Sequence, residues 1–489
     1  MSLTKTLSNK KILSPQIGVL VLSILFIGLN SYLISTDFLY LNYLPFLLIG
    51  VILLVVFPEK FYFTLIFLTP LSIPLSEYIG GLDFDFWVPT EPLILFFLLL
   101  IIAKSLINRN LDLRLTNHPV FWAILFYLGW LLITSFGSVM PVVSFKYTLV
   151  RVWFIVVFFY IAYLFFLRNS QNFWLYAGGY LGGLLVVILI SLNTQYERGL
   201  FSKFSAHGAC NPYFTDHTSY GAAIAFVIPI VVSFIFVAKT KKIKWLLTAF
   251  ALFLTSALVL SYSRAAWLSL IFGIGIWFVW WLKIKIRTIL LITLTLVALA
   301  FTFQDRISWW LNNNQTASSG NLQEHLHSIA NIKTDDSNVE RLNRWVSAVR
   351  MIEEKPNFGW GPGTYMFQYA PYQPSFLKTN ESSNLGQKGN AHSEYLGLMA
   401  EAGWPGVLGY VLILLLVFYR GFKLLKLNTN FEERLLVLGA LIGLSTYVFH
   451  GILNNFLDMD KIAAIFWGYI AFIVAMDVKY RFTETRSQE

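Results

Sequence analysis

Four residues of this chain have types and spacing that could do chemistry: a histidine and three arginines. The stretch NAHSEYLGLMAEAGWPG, residues 390–406, sets His392, Glu394 and Glu401 just before an apolar run, VLGYVLILLLVFY. Neutral imidazole is a natural general base near neutral pH. Upstream, SNVERLNRWVSAVRMIEEKPNFGWGPG, residues 337–363, carries Arg341 and Arg344. Paired arginines on a helix are ordinarily a solvated face, but a fixed guanidinium fork also grips phosphate well. SYSRAAWLSL, residues 261–270, pins Arg264 between two apolar runs with almost no loop. There it either snorkels to headgroups or binds an anion at the mouth of a bundle. A base beside several arginines is the combination needed by a transferase acting on a lipid phosphate.

Other positions are weaker candidates. NPYFTDHTSYGAA, residues 211–223, contains Asp216 and His217, with Arg198 and Lys203 just upstream. A helix N-terminus near basic residues suits an anionic headgroup, while Asp216 serves equally as a helix cap. Arg151 falls just inside an apolar run, and His450 and Asp458 read as hydrogen-bonded bundle residues. The GWGPGTY stretch, residues 359–365, has exposed turn amides but neither the lysine nor the spacing of a nucleotide loop. His325 and His327, with Asp335 and Asp336 beyond, have no spacing that fixes a metal, so neither metal nor cofactor is expected.

These residues need a membrane scaffold to position them. Of the 489 residues, 57% are hydrophobic, 17% aromatic and only 13% charged, against about 25% charged in soluble domains. Runs of roughly 18 apolar residues recur. They predict spans near 17–35, 40–57, 60–76, 91–107, 119–136, 146–167, 173–193, 219–238, 244–262, 265–282, 286–303, 404–420, 434–456 and 461–477. Pro70 and Pro74 weaken the third. The expected fold is therefore all-α and polytopic, with about 12–14 transmembrane helices. Three regions are expected: an N-terminal bundle over 1–303, a hydrophilic loop over 304–392, and C-terminal spans over 393–489. Within the loop, Leu342, Trp345, Val346, Val349 and Ile352 recur at helical spacing, and Pro356 and Gly359 follow. They predict an amphipathic helix over 338–355 lying on or near the membrane surface. Ser337 and Glu340 have capping-box spacing.

Lys and Arg set the orientation. With the N-terminus in the cytoplasm, most of the 36 fall in cytoplasmic loops, leaving Lys146, Arg198, Lys203, Arg264 and Lys461 in short outer ones. Both termini are then cytoplasmic and the long loop is extracytoplasmic. The net charge of +10 is a topology signal facing anionic lipid, and nucleic acid is not implied. Cys210, the one cysteine, forms no internal disulfide. The MSLTKTLSNKK start resembles a signal n-region but reads as an uncleaved first helix.

Three blocks carry a family resemblance: SYSRAAWL with Arg264, RLNRWVSAVRMIEEKPNFGWGPGTY with Arg341, and HSEYLGLMAEAGWPG with His392. Together they resemble the O-antigen ligase and Wzy-type polymerase superfamily of bacterial membrane glycosyltransferases. The resemblance covers about 264 to 406. It implies a GT-C-like membrane enzyme of roughly twelve spans in the bacterial inner membrane, with its site on the periplasmic face. It also implies metal-independent, inverting transfer of a glycan from a polyprenyl diphosphate carrier to an acceptor hydroxyl, lipid A–core or another glycan or protein. On that resemblance His392 takes the acceptor proton, while Arg341 and Arg264 bind the diphosphate. Arg344, Arg198, Arg151 and His217 are further candidates for the carrier. Polymerases and protein O-oligosaccharyltransferases share these blocks, and some members are described as solute or inorganic-carbon transporters. A transporter would place its unusual charges near mid-membrane, whereas Arg264, Arg341 and His392 fall at the outer interface.

Overall fold

The computed structural model describes residues 15–36, 40–78, 86–108, 113–303, 336–378, 389–427 and 430–488. His325 and His327 lie outside the described residues. The chain divides into two compact units, 1–62 and 63–489. In the first, Asn30 of the Pro15–Ser35 helix donates its amide to Asn42 Oδ1 at 2.8 Å, in the turn Tyr40–Tyr43 that precedes the Leu44–Val56 helix.

The protein is an all-α polytopic membrane protein. Among the described residues, ten helices are long and apolar enough to cross a membrane, each matching an expected span. The other four expected spans differ. Leu44–Val56 and Pro58–Leu68 are broken at Phe57 and qualify only as a joined pair. Pro58–Leu68 stops before Pro70, which cannot continue a helix. Thr90–Asn108 and Ile286–Thr302 are helices of 19 and 17 residues outside the ten. The only sheet among the described residues is a two-residue antiparallel pairing of Ile73–Pro74 with Trp87–Val88.

Burial sorts the helices. The apolar window of Asp460–Arg481 is 100% buried, and those of His217–Val237 and Phe431–Leu453 are 78% buried. Lys241–Leu260 and Arg264–Trp281 reach only 17% and 22%, so their outer faces are left for lipid. Small residues let the inner helices close up, as membrane packing favours. A side chain on Gly443 would collide with Phe226, and one on Gly273 with Thr446.

Two expectations are corrected here. Lys461, expected in a short outer loop, is fully buried, with Nζ 2.6 Å from Ser72 Oγ, 3.2 Å from Asp460 Oδ1 and over the Trp87 ring. Paired partners and an aromatic face replace its lost hydration. The loop helix forms over Asp336–Glu354, near its expected bounds. Its fully buried positions, however, are Glu340, Asn343, Arg344, Ser347, Ala348 and Met351. The apolar stripe stays half-buried, and Val349 is exposed. The helix docks through Ala348 and Met351 into a cluster with Tyr365, Tyr369, Ala391 and Ala400, while its buried polar residues pair among themselves and with neighbours, Arg344 with Glu340 and Asn343 with Gln373.

Candidate active site

The Glu394–Leu424 helix builds the floor of the site. It is interrupted at Gly403, whose φ of +69° is open to glycine, and Pro405 follows. Pro405 has no N–H, so the Glu401 carbonyl loses its helical donor. Freed carbonyls inside a membrane bundle need partners, and the GWGPG turn supplies them. Trp360 N donates to Ala400 O at 3.0 Å and Gly361 N to Glu401 O at 2.8 Å. In return Trp404 N donates to Pro356 O at 2.9 Å, and Trp130 Nε1 reaches Ala402 O at 2.7 Å. Gly359 and Gly361 have φ of +66° and +117°, and a side chain on Gly359 would sit inside the Glu401 backbone. The turn is thus a docking element rather than an anion cradle. Two stretches about forty residues apart, EAGWPG and PNFGWGPG, lock together and fix the Asp336–Glu354 helix against the Glu394–Leu424 helix.

The two carboxylates of the opening stretch belong to this framework. Glu401 Oε1 accepts the Tyr365 N–H at 3.0 Å, holding the end of the turn. Glu394 Oε1 accepts Tyr447 OH at 2.6 Å and the N–H groups of Phe456 and Leu457 at 2.8 and 2.9 Å. It ties residues 454–457, which follow the Phe431–Leu453 helix, to the start of its own helix.

His392 sits where these strands of chain meet. Its φ is +47°, a left-handed turn that histidine tolerates better than most side chains. Its N–H donates to Asn390 Oδ1 at 3.0 Å, and its carbonyl accepts Trp345 Nε1 at 3.0 Å. The half-buried ring faces Asn454: Nδ1 lies 3.4 Å from Oδ1, and Asn454 Nδ2 lies 3.2 Å from His450 Nε2. With the amide in that orientation, Nδ1 carries the proton and Nε2 is the basic nitrogen. Burial, then the charges of Arg341 and Arg344, push the His392 pKa down to about 4. The imidazole is neutral at pH 7.

The candidate arginines fall into three kinds of setting. Arg341 is half-buried, with Nη1 3.1 Å from Ser337 Oγ and 3.4 Å from Asn338 Oδ1, and its charge acts on both His392 and His450. Arg264 begins the Arg264–Trp281 helix, capped by Ser263, with the neighbouring Ala265 backbone against His450. Arg341 therefore acts on the His392–Asn454–His450 chain, and the first turn of the Arg264–Trp281 helix borders it at His450 through the Ala265 backbone. Arg344 is a packing residue: Nε bonds Glu340 at 2.5 Å and the guanidinium lies 4.0 Å over the Tyr369 ring. Arg151 is buried elsewhere, with Nη2 2.6 Å from Tyr147 OH and 2.9 Å from Asp458 Oδ1.

The remaining candidates lie toward the 198–217 segment. Arg198 is exposed at the end of the Asn172–Arg198 helix. His217 stacks on His207 with centroids 3.9 Å apart, and burial followed by the Lys203 charge lowers the His207 pKa. Asp216 is the cap expected of it, with Oδ1 2.7 Å from both the Thr218 and Ser219 N–H groups. Its charge still reaches His392, so this helix start borders the same site.

Sequence reasoning missed Asn454. It lies in an uncharged GILNNF stretch 62 residues from His392, inside the expected span 434–456 that in the structure ends at Leu453.

No curated protein matches the chain. A family model described as O-antigen ligase matches residues 249–411. That segment holds the Arg264 helix start, the docked Asp336–Glu354 helix and turn, and the His392 loop. Over residues 249–411, about a third of its length, the chain is similar to the O-antigen ligase family.

Proposed function

We propose that this protein moves a glycan from a polyprenyl diphosphate carrier onto an acceptor hydroxyl, with lipid A–core as the acceptor, on the outer face of a bacterial inner membrane. The observation that carries the reading is a neutral His392 ring, oriented by Asn454 and under the charge of Arg341, with the helix start at Ala265 against the adjoining His450. His392 Nε2 takes the proton of the acceptor hydroxyl. The hydroxyl oxygen attacks the anomeric carbon, the bond from that carbon to the phosphate oxygen breaks, and the lipid diphosphate leaves. Arg341 and Arg264 hold the negative charge that grows on the leaving oxygens, work best done by preorganised donors. The carrier arrives already activated, so no nucleotide is consumed, and inversion follows from one displacement. The cationic bias of the loops expected to be cytoplasmic supports the orientation.

The test uses purified full-length protein in nanodiscs with a polyprenyl-diphosphate-linked oligosaccharide, with EDTA present. A His392-dependent product formed only when lipid A–core is added supports the ligase reading. A ladder of lengthened lipid-linked glycan from donor alone overturns it in favour of a polymerase. A requirement for restored divalent metal overturns the metal-independent mechanism.

A further inference from the structure

The Arg264–Trp281 helix starts beside the His392 site, where Ala265 meets His450, and crosses to the opposite membrane face. The Lys241–Leu260 helix, joined to it by residues 261–263, starts on that far face. Lipid covers most of this hairpin, since the apolar windows of its two helices are only 22% and 17% buried.

The far end of the hairpin is strongly cationic. Lys239, Lys241, Lys242 and Lys244 crowd the start of one helix, and Lys283, Lys285 and Arg287 follow the end of the other; all are exposed. From residue 217 to 304 the chain has no Asp or Glu. None of these cations has an acidic partner among the described residues. Other helix ends on the same face are neutralised. The Phe431–Leu453 helix, which carries His450 in its last turn, opens there with Glu432 and Glu433, and Glu433 Oε1 takes Lys479 Nζ at 2.7 Å. Asp477 holds Arg420 at 3.3 Å and Arg481 at 3.0 Å.

Orientation in a membrane calls only for an excess of cations in a loop. It does not call for lysines in the first turn of a helix, where the positive end of the backbone already repels them. Lys241, Lys242 and Lys244 stand there with no acid in the turn. An anion from outside the chain stabilises such an arrangement.

The neighbouring side chains select its source. Ile243, Trp245 and Leu246 lie among or beside the lysines, and Trp281 and Leu282 precede Lys283; Trp245 is 74% exposed and Trp281 57%. Tryptophan settles at the headgroup level of a bilayer, with its apolar ring against lipid. A small water-borne anion would use the ammonium groups and leave these rings without a counterpart. An anionic phospholipid uses both, and clusters of about four to eight cations at the end of a span recognise such headgroups.

We propose that this end of the hairpin binds anionic phospholipid, with the lysines on headgroup phosphate and Trp245, Leu246, Trp281 and Leu282 against the glycerol and acyl chains. The bound lipid supplies contacts that the rest of the bundle does not give this hairpin. The proposal is independent of the glycosyl-transfer reading.

The test is the melting temperature of the full-length protein in neutral detergent, titrated with phosphatidylglycerol, phosphatidylcholine or inorganic phosphate. Phosphatidylglycerol raises it saturably by about 3 °C or more, as a ligand of the folded state does, and the other two do not. Changing Lys241→Gln together with Lys242→Gln raises the half-saturating phosphatidylglycerol concentration about tenfold or more. Arginine at both positions keeps it within about twofold of wild type. Lys423→Gln with Lys426→Gln, exposed lysines of the same face, removes equal charge and leaves it unchanged. Equal effects of the two phospholipids, equal protection by inorganic phosphate, an unmoved midpoint in the 241/242 glutamine pair, or the same loss in the 423/426 pair would overturn the proposal. If the 241/242 glutamine pair yields no folded protein, salt decides the matter on the wild type. Raising salt from about 50 to 500 mM weakens the phosphatidylglycerol midpoint about threefold or more, and a salt-insensitive midpoint overturns the proposal.

Discussion

The Nδ1 atom of His392 faces Oδ1 of Asn454 at 3.4 Å, and the other end of that amide lies 3.2 Å from His450 Nε2. The pair joins the loop that ends at Ser393 to the one that follows Leu453, and it decides which imidazole nitrogen is free. Asn454 is a positioning residue on this account. Asn454→Ala is expected to lower kcat about 10- to 100-fold with little change in donor KM, in the range of other outer partners that orient a functional imidazole. Asn454→Asp sets a carboxylate beside the ring and should move the acidic limb of the rate profile to higher pH. An Asp variant with an unmoved limb would show that the contact is structural only.

His392→Ala is expected to reduce transfer by about 10²- to 10⁴-fold, the range of general-base catalysis, while the protein keeps its size-exclusion profile. The pH dependence is specific. Burial and the charges of Arg341 and Arg344 hold the His392 pKa near 4 instead of 6.5, so the basic form persists as pH falls. The rate should stay level from pH 8 to about 5 and drop only toward 4. A half-maximal rate near 6.5 would count against His392 as the base in this setting. The same shift has a stability consequence. Between about 6.5 and 4 the unfolded chain binds a proton at this position and the folded chain does not, so folding weakens as pH falls through that window. His392→Gln should flatten that part of the melting-temperature profile.

Arg341 and Arg344 lie one turn apart and should respond differently. Arg341→Lys replaces a fork by a point charge, and is expected to cost at least tenfold in kcat/KM with an unchanged melting temperature. Arg344→Ala strips Glu340 of its buried partner, a change that typically costs about 3–5 kcal/mol. It should appear first as lost folded protein. Equal kinetic losses with equal stability in the two variants would contradict the separate settings described here.

Gly403→Ala should fail to yield folded protein. Its φ of +69° disfavours a side chain, and the added carbon would lie 2.0 Å from the Asn357 carbonyl oxygen. Gly275→Ala, with open space around it, is the matched control in another membrane helix and should express normally. A stable Gly403→Ala with wild-type activity would show that the docking of EAGWPG onto PNFGWGPG is dispensable.

Much of this protein is legible along the chain because lipid imposes a local rule. A helix that satisfies its own backbone and shows apolar side chains outward announces itself by composition, and all ten long apolar helices coincide with expected spans. The Asp336–Glu354 helix and the Asp216 cap depend on neighbours within a few residues, so they too could be read in advance. His392 and Arg264 stood out because titratable groups beside apolar runs are expensive, and Arg341 because its block resembles that of the family. Only the tertiary structure decided what each such group does. The apolar stripe of the loop helix does not mark its most buried face, because Ala348 and Met351 beside it fit a close-packed cluster with Tyr365, Tyr369, Ala391 and Ala400. Arg344 has the same type and spacing as Arg341, yet its Nε is held by Glu340 and its guanidinium lies over Tyr369. Lys461 is buried because Ser72, remote in sequence, comes to meet it. Asn454, with no charge and no motif, gains its role from a partner 62 residues away. Hydropathy acts on each segment by itself, whereas hydrogen bonds between distant segments exist only once the bundle has closed.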